Sequence, residues 1–328
     1  MSRFRRGSTA NGDASDAPGE AFGSASISAV AYELGDLRPI DEIDFLRENP
    51  EKLELYKLAG FANYAVSELT TTELAMRCAS QTLDLASCDR DDISVVVYVA
   101  ESFDRDDIVN AGDVNRLLLD LGLDHAVPLH VSILNCANIV AALRVAVSLV
   151  QSGGADNVLI VSSDKAPRRP RGRMMFQEVS LKSDVALSCI VSRAAGGHAV
   201  EFLGQRNCAS LIEGGDGGAA SYSIPKFKAI RLAATQARDA LGMAPEQFTH
   251  ILTNNYSLEV TKMFGELCGF PRDASYLENI GRFAHAVAGD ILINLKDLDD
   301  RGGVARGDRV LLMADSVTSA STVCVQKL

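Results

Sequence analysis

Two kinds of hydrophobic pattern alternate along the chain. Short runs rich in Val, Ile and Leu are typical of strands buried on both faces, and segments with apolar residues at helical spacing predict helices between them. The predicted strands cover residues 25–34, 93–100, 129–134, 157–163, 250–254 and 309–315. The predicted helices cover residues 70–87, 111–121, 137–151, 227–241, 258–267 and 286–298. This order predicts an α/β protein with helices on both faces of each sheet.

Two of the apolar helices, and the strands that follow them, have matching sequence surroundings. Cys136 precedes the first helix, and Gly153 ends it 17 residues later. His285 precedes the second helix, and Gly302 ends it, again 17 residues later. A spacing that occurs twice predicts an internal duplication, in which two copies of one βαβ-type half pack together.

The start of the chain differs in composition from the rest. Residues 1–25 are rich in Gly, Ser, Ala and Asp and poor in large apolar side chains, which predicts a disordered tail. The N-terminal half is then expected over residues 26–194 and the C-terminal half over residues 195–328. The early arginines are not followed by the apolar stretch of a signal peptide, and long apolar runs are absent from the sequence. We therefore expect a cytoplasmic protein that does not span a membrane.

Charge and cysteine usage exclude several classes of function. The 328-residue chain has a formal net charge of −11, which disfavours non-specific binding to nucleic acid or to anionic membrane surfaces. Its seven cysteines form no C-x-x-C pair, and its five histidines show no metal-ligand spacing. The sequence therefore predicts neither a disulfide framework nor a metal site.

The residues that open the two duplicated helices carry the candidate chemistry. A thiol at a helix N-terminus is favoured as the thiolate, so Cys136 is a candidate nucleophile, although a small buried cysteine is the ordinary alternative. His285, at the equivalent place in the second copy, would be its base. Asp290 lies in an apolar segment, where a carboxylate needs a partner. It is expected to hold the His285 ring if His285 precedes the helix, and otherwise to pair with an arginine or a backbone group.

Three segments resemble the ketoacyl-ACP synthase III branch of the thiolase superfamily. Residues 134–164 resemble the nucleophile region of the family, in which a strand ends at Ala-Cys and a buried helix follows. Residues 183–186 resemble its Gly-Asp-Gly-Ala strand, and residues 278–316 its C-terminal Asn-Ile helix and Gly-Asp-x-Val-Leu-Leu strand. The resemblance spans roughly residues 27–328. It implies the thiolase fold, a five-layer αβαβα arrangement of two duplicated halves, and a homodimer.

The sequence departs from the condensing members of that family at the residues that do chemistry. Their Cys-His-Asn triad takes its histidine from a His-Gln-Ala-Asn motif, which falls here on residues 253–257 without a histidine. Asn254 or Asn255 is its counterpart and a candidate donor to a carbonyl oxygen. The triad asparagine of the family falls on His285. The triple-glycine loop that supplies an oxyanion amide falls on Ser-Val-Thr at residues 316–318.

These substitutions favour acyl transfer to a heteroatom. Condensation needs two neutral donors on a thioester oxygen, whereas a histidine held by a carboxylate is suited to taking a proton from a hydroxyl, amine or thiol. The resemblance to the acyltransferase and starter-unit subgroup of polyketide-type secondary metabolism implies ping-pong transfer through a Cys136 thioester. The donor would be an acyl-carrier protein or acyl-CoA, the acceptor a small molecule or carrier-bound group, and no cofactor would be permanently bound.

Two alternatives remain open from the sequence. The first is a decarboxylative starter-unit condensing enzyme, because some members of the same subgroup condense. The second is a non-catalytic partner subunit of a condensing enzyme, which the loss of the His-Gln-Ala-Asn and triple-glycine elements favours. The retained Cys136 with a rebuilt His285 and Asp290 counts against this second alternative.

A basic segment stands out against the acidic background. Residues 165–173 carry five positive charges in nine residues. A solvated loop is one interpretation. The other is that Arg168, Arg169 and Arg171 attract the pantetheine phosphate or an acidic carrier protein.

Overall fold

The computed structural model describes residues 20–21, 25–101, 109–169, 171–175, 179–193, 196–214 and 224–328. Most of the predicted tail, residues 1–25, lies outside these ranges; within it, Glu20–Ala21 pairs with a later strand.

The described residues form nine α-helices and fourteen strands. The strands are β1 (Glu20–Ala21), β2 (Ser26–Leu34), β3 (Asp36–Pro39), β4 (Asn63–Val66), β5 (Ile93–Val99), β6 (Val127–Val131), β7 (Asn157–Asp164), β8 (Met174–Met175), β9 (Ser180–Leu181), β10 (Val185–Ser192), β11 (His198–Asn207), β12 (His250–Thr253), β13 (Arg309–Asp315) and β14 (Ser319–Lys327). The helices are α1 (Asp44–Glu48), α2 (Pro50–Leu58), α3 (Thr71–Leu85), α4 (Ala111–Asp120), α5 (Asn138–Ser152), α6 (Ile224–Leu241), α7 (Leu258–Leu267), α8 (Glu278–Phe283) and α9 (Asp290–Asp300).

The main sheet consists of two half-sheets with the same strand order. In the first, β6-β5-β7-β10-β2, the strands β6, β5 and β7 are parallel and β10 is antiparallel to both neighbours. In the second, β12-β13-β14-β11, the strands β12 and β13 are parallel and β14 is antiparallel to both neighbours. Ser275 pairs with Ile251 of β12 in a single bridge, at the place that β6 takes beside β5. The half-sheets join where β2 and β11 pair over two residues each.

Helices complete five layers around these half-sheets. The apolar helices α5 and α9 form the middle layer, where α5 contacts β7, β10, β11 and β14 and α9 contacts β2, β12 and β13. One outer layer contains α3 and α4, and the other contains α6 and α7. The largest buried cluster includes side chains from both middle helices and both half-sheets. The predicted αβαβα arrangement of two duplicated halves is therefore confirmed.

Local patterns explain where the predicted elements agree with the structure. The helix predicted over residues 70–87 is α3, and Thr70 and Glu73 form its capping box.

The segment Asn135–Ser152 has the length and hydropathy of a membrane-spanning helix, but it belongs to the middle layer and 56% of it is buried inside the protein.

Two predicted elements have different bounds in the structure, and two long strands were not predicted. The strand expected over residues 129–134 is Val127–Val131, an edge strand whose exposed residues blur the hydrophobic pattern. The helix expected from residue 286 begins at Asp290, after a 3₁₀ turn at Val287–Gly289. The pattern did not predict β11 and β14, which contain many small or polar residues.

Candidate active site

The two halves bring Cys136, His285 and Asp290 together in the interior. The Sγ atom of Cys136 lies 3.1 Å from Nε2 of His285. On the other side of the imidazole ring, Nδ1 hydrogen-bonds Oδ2 of Asp290. All three residues are buried. The imidazole therefore joins the thiol to the carboxylate.

The local backbone explains how His285 reaches Asp290 from five residues away. The N–H of His285 donates to the carbonyl of Leu181 over 2.9 Å, and its carbonyl accepts the N–H of Ser183 over 2.9 Å. His285 is thus held beside β9 and not within a helix. Asp290 begins α9, and its Oδ1 accepts the N–H of Ala286 over 2.6 Å. The entry geometry that the predicted pairing requires is present.

Backbone strain is concentrated at these two helix starts. Four of the six non-glycine residues with positive φ in the described part of the chain lie within three residues of Cys136 or His285. They are Ile133 (φ 85°), Asn135 (φ 49°), Ala284 (φ 61°) and Val287 (φ 51°). Such residues cost about 1–3 kcal/mol each and occur most often at functional sites. Asn135 and Ala284 occupy equivalent positions, directly before Cys136 and His285.

Asn254 and Asn255 lie on the Asp290 side of the imidazole. The backbone N–H of Asn255 donates to Oδ2 of Asp290 over 2.8 Å, and Nδ2 of Asn254 lies 3.5 Å from the same oxygen. The side-chain amide of Asn255 donates to the carbonyl of Ala284 over 2.9 Å. In this geometry the two asparagines contact Asp290 and the turn before His285, and their donation to a substrate carbonyl stays a prediction.

Asn294 of α9 supports this arrangement and was missed by the sequence analysis. Its side-chain N–H₂ donates to Oδ1 of Asn255 over 2.9 Å and to the carbonyl of Thr253 over 3.1 Å. An asparagine within an apolar helix is the signal that could have indicated it, because a buried amide needs partners.

Burial and charge act in opposite directions on the two titrating groups. Burial raises the pKa of the Cys136 thiol, and the charge of His285 opposes this only in part. The expectation that the helix terminus alone favours the thiolate is therefore outweighed by burial. Burial would lower the pKa of His285, but the charges of Asp290 and Cys136 more than offset it and hold the pKa well above its ordinary 6.5.

A cluster of charged residues beside Cys136 was also missed. Lys182 Nζ lies 2.6 Å from Oε2 of Glu101, and the other oxygen of Glu101 accepts the side-chain amide of Asn135 over 3.3 Å. The N–H of Glu101 donates to Oδ1 of Asp164 over 2.6 Å. Burial, with a smaller contribution from Glu101, raises the pKa of Asp164 to about 7. We call Glu101, Lys182 and Asp164 the polar cluster.

The loop at residues 316–318 lies between β13 and β14, which both approach the turn that contains Cys136. Lys226 is fully buried beneath it, 3.0 Å from Oδ2 of Asp315. Its ammonium also donates to the carbonyls of Ser316 and Ser319. The 316–318 loop, which lacks the glycines of the family, is thus held by the buried ammonium of Lys226.

Two of the five charges of the basic segment have partly buried hydrogen-bond partners, while Arg168 has an exposed ion pair with Glu68 at 3.9 Å and Arg171 stacks on Phe45. Arg173 forms two hydrogen bonds to Asp184, of 2.9 and 3.0 Å, and Lys165 donates to the carbonyl of Leu69. Arg168, Arg169 and Arg171 are exposed. The three arginines predicted to dock the donor are therefore on the surface.

Within the described ranges, no group of three His, Cys, Asp or Glu side chains is placed to hold a metal ion. The seven cysteines are free.

The amino-acid sequence is distantly similar to two curated proteins, both named as β-ketoacyl-[acyl-carrier-protein] synthases III. No family model matches the chain. It is 24% identical over 197 residues to a β-ketoacyl-[acyl-carrier-protein] synthase III of Aquifex aeolicus (strain VF5), and this match covers 55% of the chain and only 60% of that relative. It is 22% identical over 283 residues to a β-ketoacyl-[acyl-carrier-protein] synthase III 2 of Vibrio vulnificus (strain CMCP6), covering 78% of the chain and 75% of that relative.

Comparisons of structure cover nearly the whole chain. The ChlB3 acyltransferase matches with a TM-score of 0.82 at 17% identity, over 93% of this chain and 98% of its own. OleA of Xanthomonas campestris with bound cerulenin matches with a TM-score of 0.79 at 17% identity, over 94% and 100%. These likenesses show that the chain has the thiolase fold. Together with the sequence relatives, they support the ketoacyl-ACP synthase III branch of that superfamily, which includes condensing enzymes and acyltransferases.

Proposed function

We propose that the protein is an acyltransferase that works by a ping-pong mechanism through a thioester on Cys136. The arrangement of Cys136, His285 and Asp290 carries this proposal. The imidazole contacts the candidate nucleophile through one nitrogen and the carboxylate that orients it through the other, as the chemistry of a nucleophile with its base requires. The likeness to an acyltransferase and to synthases of the ketoacyl-ACP synthase III type supports it. The donor in this proposal is an acyl-carrier protein or acyl-CoA.

In the first half-reaction, His285 takes the thiol proton of Cys136. The resulting imidazolium is stabilised by Asp290, and the thiolate attacks the carbonyl carbon of the donor thioester. As the carbon–sulfur bond to the donor breaks, the imidazolium proton passes to the leaving pantetheine sulfur. Cys136 then carries the acyl group, and His285 is neutral again.

In the second half-reaction, the neutral imidazole is the base for the acceptor. In the acyl-enzyme the sulfur carries no charge, so Asp290 is left to oppose the effect of burial on the pKa of His285, and the ring releases its proton more readily than beside a thiolate. His285 takes the proton of a hydroxyl, amine or thiol as that heteroatom attacks the Cys136 thioester. The proton then returns to the sulfur of Cys136 as it leaves.

Intact-protein mass spectrometry tests the first half-reaction. The protein is incubated with a panel of acyl-CoA and acyl-carrier thioesters, and the acylated cysteine is located by peptide mapping. We expect an adduct on Cys136 that is absent from Cys136→Ala and unchanged in Cys88→Ala, a half-buried cysteine outside the site. Absence of an adduct with every donor would reject the proposal and favour the non-catalytic partner subunit.

A decarboxylative starter-unit condensing enzyme is the second candidate. The names of the two sequence relatives favour it. Against it stands the His285–Asp290 pair, since a carboxylate-held imidazole with a raised pKa is suited to proton transfer more than to neutral hydrogen-bond donation. Release of carbon dioxide from a malonyl thioester distinguishes the two.

The proposal includes a homodimer formed through β6. This strand lies at the end of the first half-sheet and pairs only with β5 among the described residues. Val127, Leu129 and the nearby Ile133 are exposed by 57%, 37% and 76%. An open edge with apolar side chains is a site for association of strands, and a two-fold axis would join two such edges. Sedimentation equilibrium is expected to give twice the chain mass, and a monomer would reject this part.

We place the reaction in cytoplasmic, polyketide-type secondary metabolism. This part of the proposal depends on the resemblance of the Cys136, His285 and Asp290 positions to the acyltransferase subgroup.

A further inference from the structure

The polar cluster is connected to both catalytic turns. Asn135, whose side chain donates to Glu101, directly precedes Cys136. Lys182 pairs with His285 in an isolated parallel bridge, and the residues on either side of Lys182 hold the His285 backbone. The ion pair between Glu101 and Lys182 therefore extends from the turn of the nucleophile to that of the base. Both charges act on the pKa of the Cys136 thiol, Glu101 by raising it and Lys182 by lowering it, so the ion pair lies near the sulfur.

Burial of the charged groups of the polar cluster costs free energy. The cluster also has no part in the proton transfers proposed above. The side chains of Lys182 and Glu101 are 16% and 13% exposed, and Asp164 is 2% exposed. A buried ion pair is weak evidence for stability, because desolvation offsets its attraction. In addition, Oδ2 of Asp164 has no hydrogen-bond partner among the residues that the structure describes. An unsatisfied buried oxygen of this kind is a reason to look for a ligand.

The chemistry of the cluster distinguishes between acyl groups. An unsubstituted alkyl chain against it would exclude water from the ion pair without replacing the lost hydrogen bonds. A hydroxyl would donate to a carboxylate oxygen and accept from the Lys182 ammonium. Sites that hydrogen-bond a substrate hydroxyl reject the analogue that lacks it far more strongly than apolar pockets reject an extra methylene.

We propose that Glu101, Lys182 and Asp164 form one wall of the acyl pocket and select a donor acyl group that carries a hydroxyl within a few atoms of its thioester carbonyl. This inference rests on the proposed acyl transfer through Cys136. It adds the chemical class of the acyl group. The three residues act by positioning and selection, and the bond changes remain those at Cys136.

A matched pair of donors tests the inference. 3-Hydroxybutyryl-CoA and butyryl-CoA differ by one hydroxyl, and they are supplied together while the two adducts on Cys136 are followed by intact-protein mass spectrometry. We expect the hydroxylated group to be transferred at least about tenfold faster by the wild-type protein. The double variant Glu101→Gln, Lys182→Met removes both charges at once and leaves no unpaired ion. It is expected to accept butyryl-CoA while losing the preference.

One control separates selection from general damage, and one further variant keeps the test valid if the double variant does not fold. Glu201→Gln breaks the partly buried pair of Glu201 with Arg309, on the second half-sheet, and is expected to keep the preference. The single variant Glu101→Gln is expected to reduce the preference even if the double variant fails to fold.

Equal transfer of the two acyl groups, faster transfer of butyryl, or a preference that the polar-cluster variants leave unchanged would overturn the inference. Loading of neither thioester, with loading of an aromatic or long-chain thioester in the same assay, would also overturn it and leave acyl transfer standing. Loading of no thioester at all would overturn both.

Discussion

At the scale of single residues, the position of one proton is central to the site. His285 lies between a thiol whose pKa is raised by burial and a carboxylate whose charge raises the pKa of the imidazole. A proton on His285 suits the leaving group of the donor, and its absence suits the incoming acceptor. In the proposed mechanism, acylation of Cys136 changes the local charge between these two steps, which would let the same ring perform both.

Replacement of Asp290 by Asn is expected to slow acyl transfer by about 10²- to 10⁴-fold, because an amide cannot hold the imidazole in the same tautomer or stabilise the imidazolium. Loss of the negative charge also lowers the pKa of His285. The acidic limb of the pH dependence of kcat, which follows protonation of His285 in the acyl-enzyme, is therefore expected to move to lower pH. Asp300→Asn, at the exposed end of the same helix, is the control. An Asp290→Asn variant with unchanged kcat and pH profile would contradict the assigned role.

Replacement of Asp164 by Asn is expected to stabilise the protein at alkaline pH. The folded-state pKa of Asp164 is about 7 against an ordinary 3.8, so the native state binds more protons than the unfolded state between these values and stability falls as the pH rises through them. Each unit of such a shift corresponds to about 1.4 kcal/mol. The gain from Asp164→Asn should therefore be a few kcal/mol at about pH 8 and smaller at about pH 6.

Urea denaturation at the two pH values measures this gain. Asp156→Asn, at an exposed position directly before the same strand, is expected to change the free energy of unfolding by less than about 0.5 kcal/mol. An Asp164→Asn variant that is no more stable than the wild type at the higher pH would show that the carboxylate is satisfied in the folded protein.

At the scale of elements, the duplication extends to the way in which α5 and its counterpart end. Gly153 has φ 75° and Gly302 has φ 72°, the left-handed conformation that terminates many helices. A Cβ on Gly302 would meet nothing within 4 Å, and one on Gly153 would meet only a guanidinium nitrogen at 3.7 Å. The conformation, and not crowding, makes glycine favourable at both positions.

Alanine at either position is expected to lower the free energy of unfolding by about 1 kcal/mol, because its Cβ disfavours positive φ. Thermal or urea denaturation measures the loss. Gly154→Ala is the matched control, since Gly154 lies next to Gly153 and has no positive φ. A loss at Gly154 as large as that at Gly153 and Gly302 would contradict the conformational explanation.

The fold and the catalytic groups differ in how far the sequence predicts them. The repeated 17-residue spacing predicts the duplication, and a costly aspartate in an apolar segment predicts a partner for His285. Glu101 and Lys182 are 81 residues apart, and no local pattern indicates that they meet. The contact from Asn255 to Asp290 uses a backbone N–H, which the identity of a side chain does not reveal. Contacts of these two kinds could be identified only from the structure.

At the scale of the whole molecule, an exposed basic segment contrasts with the acidic charge of the chain, and it is the region where we expect a donor to dock. The chain has a net charge of −11, yet Arg168, Arg169 and Arg171 lie together in an exposed basic segment. Arg171 also stacks on the ring of Phe45, with 4.2 Å to its centroid. Segments of this kind attract phosphates and acidic partners over roughly a Debye length of 8 Å at physiological salt.

Charge reversal at Arg168 and Arg169 together is expected to raise the KM for an acyl-carrier donor by about tenfold or more, while kcat with a short acyl thioester changes little. The KM for the carrier donor should also rise with ionic strength in the wild type and less so in the variant. Arg306→Glu is the control, because Arg306 is exposed in the loop before β13, at the end of that strand away from the 316–318 loop. Equal changes in KM for both donors would reject docking at this segment.

The fate of the acyl group on Cys136 tests the central proposal most directly. The acyl-enzyme is prepared, freed of donor and divided between a malonyl thioester and a mixture of amine, alcohol and thiol acceptors. Intact mass and released carbon dioxide are followed together. Acyl transfer predicts that a heteroatom acceptor removes the adduct and that the malonyl thioester releases no carbon dioxide above a control without enzyme. Stoichiometric release of carbon dioxide with loss of the adduct would contradict it and show a condensing enzyme.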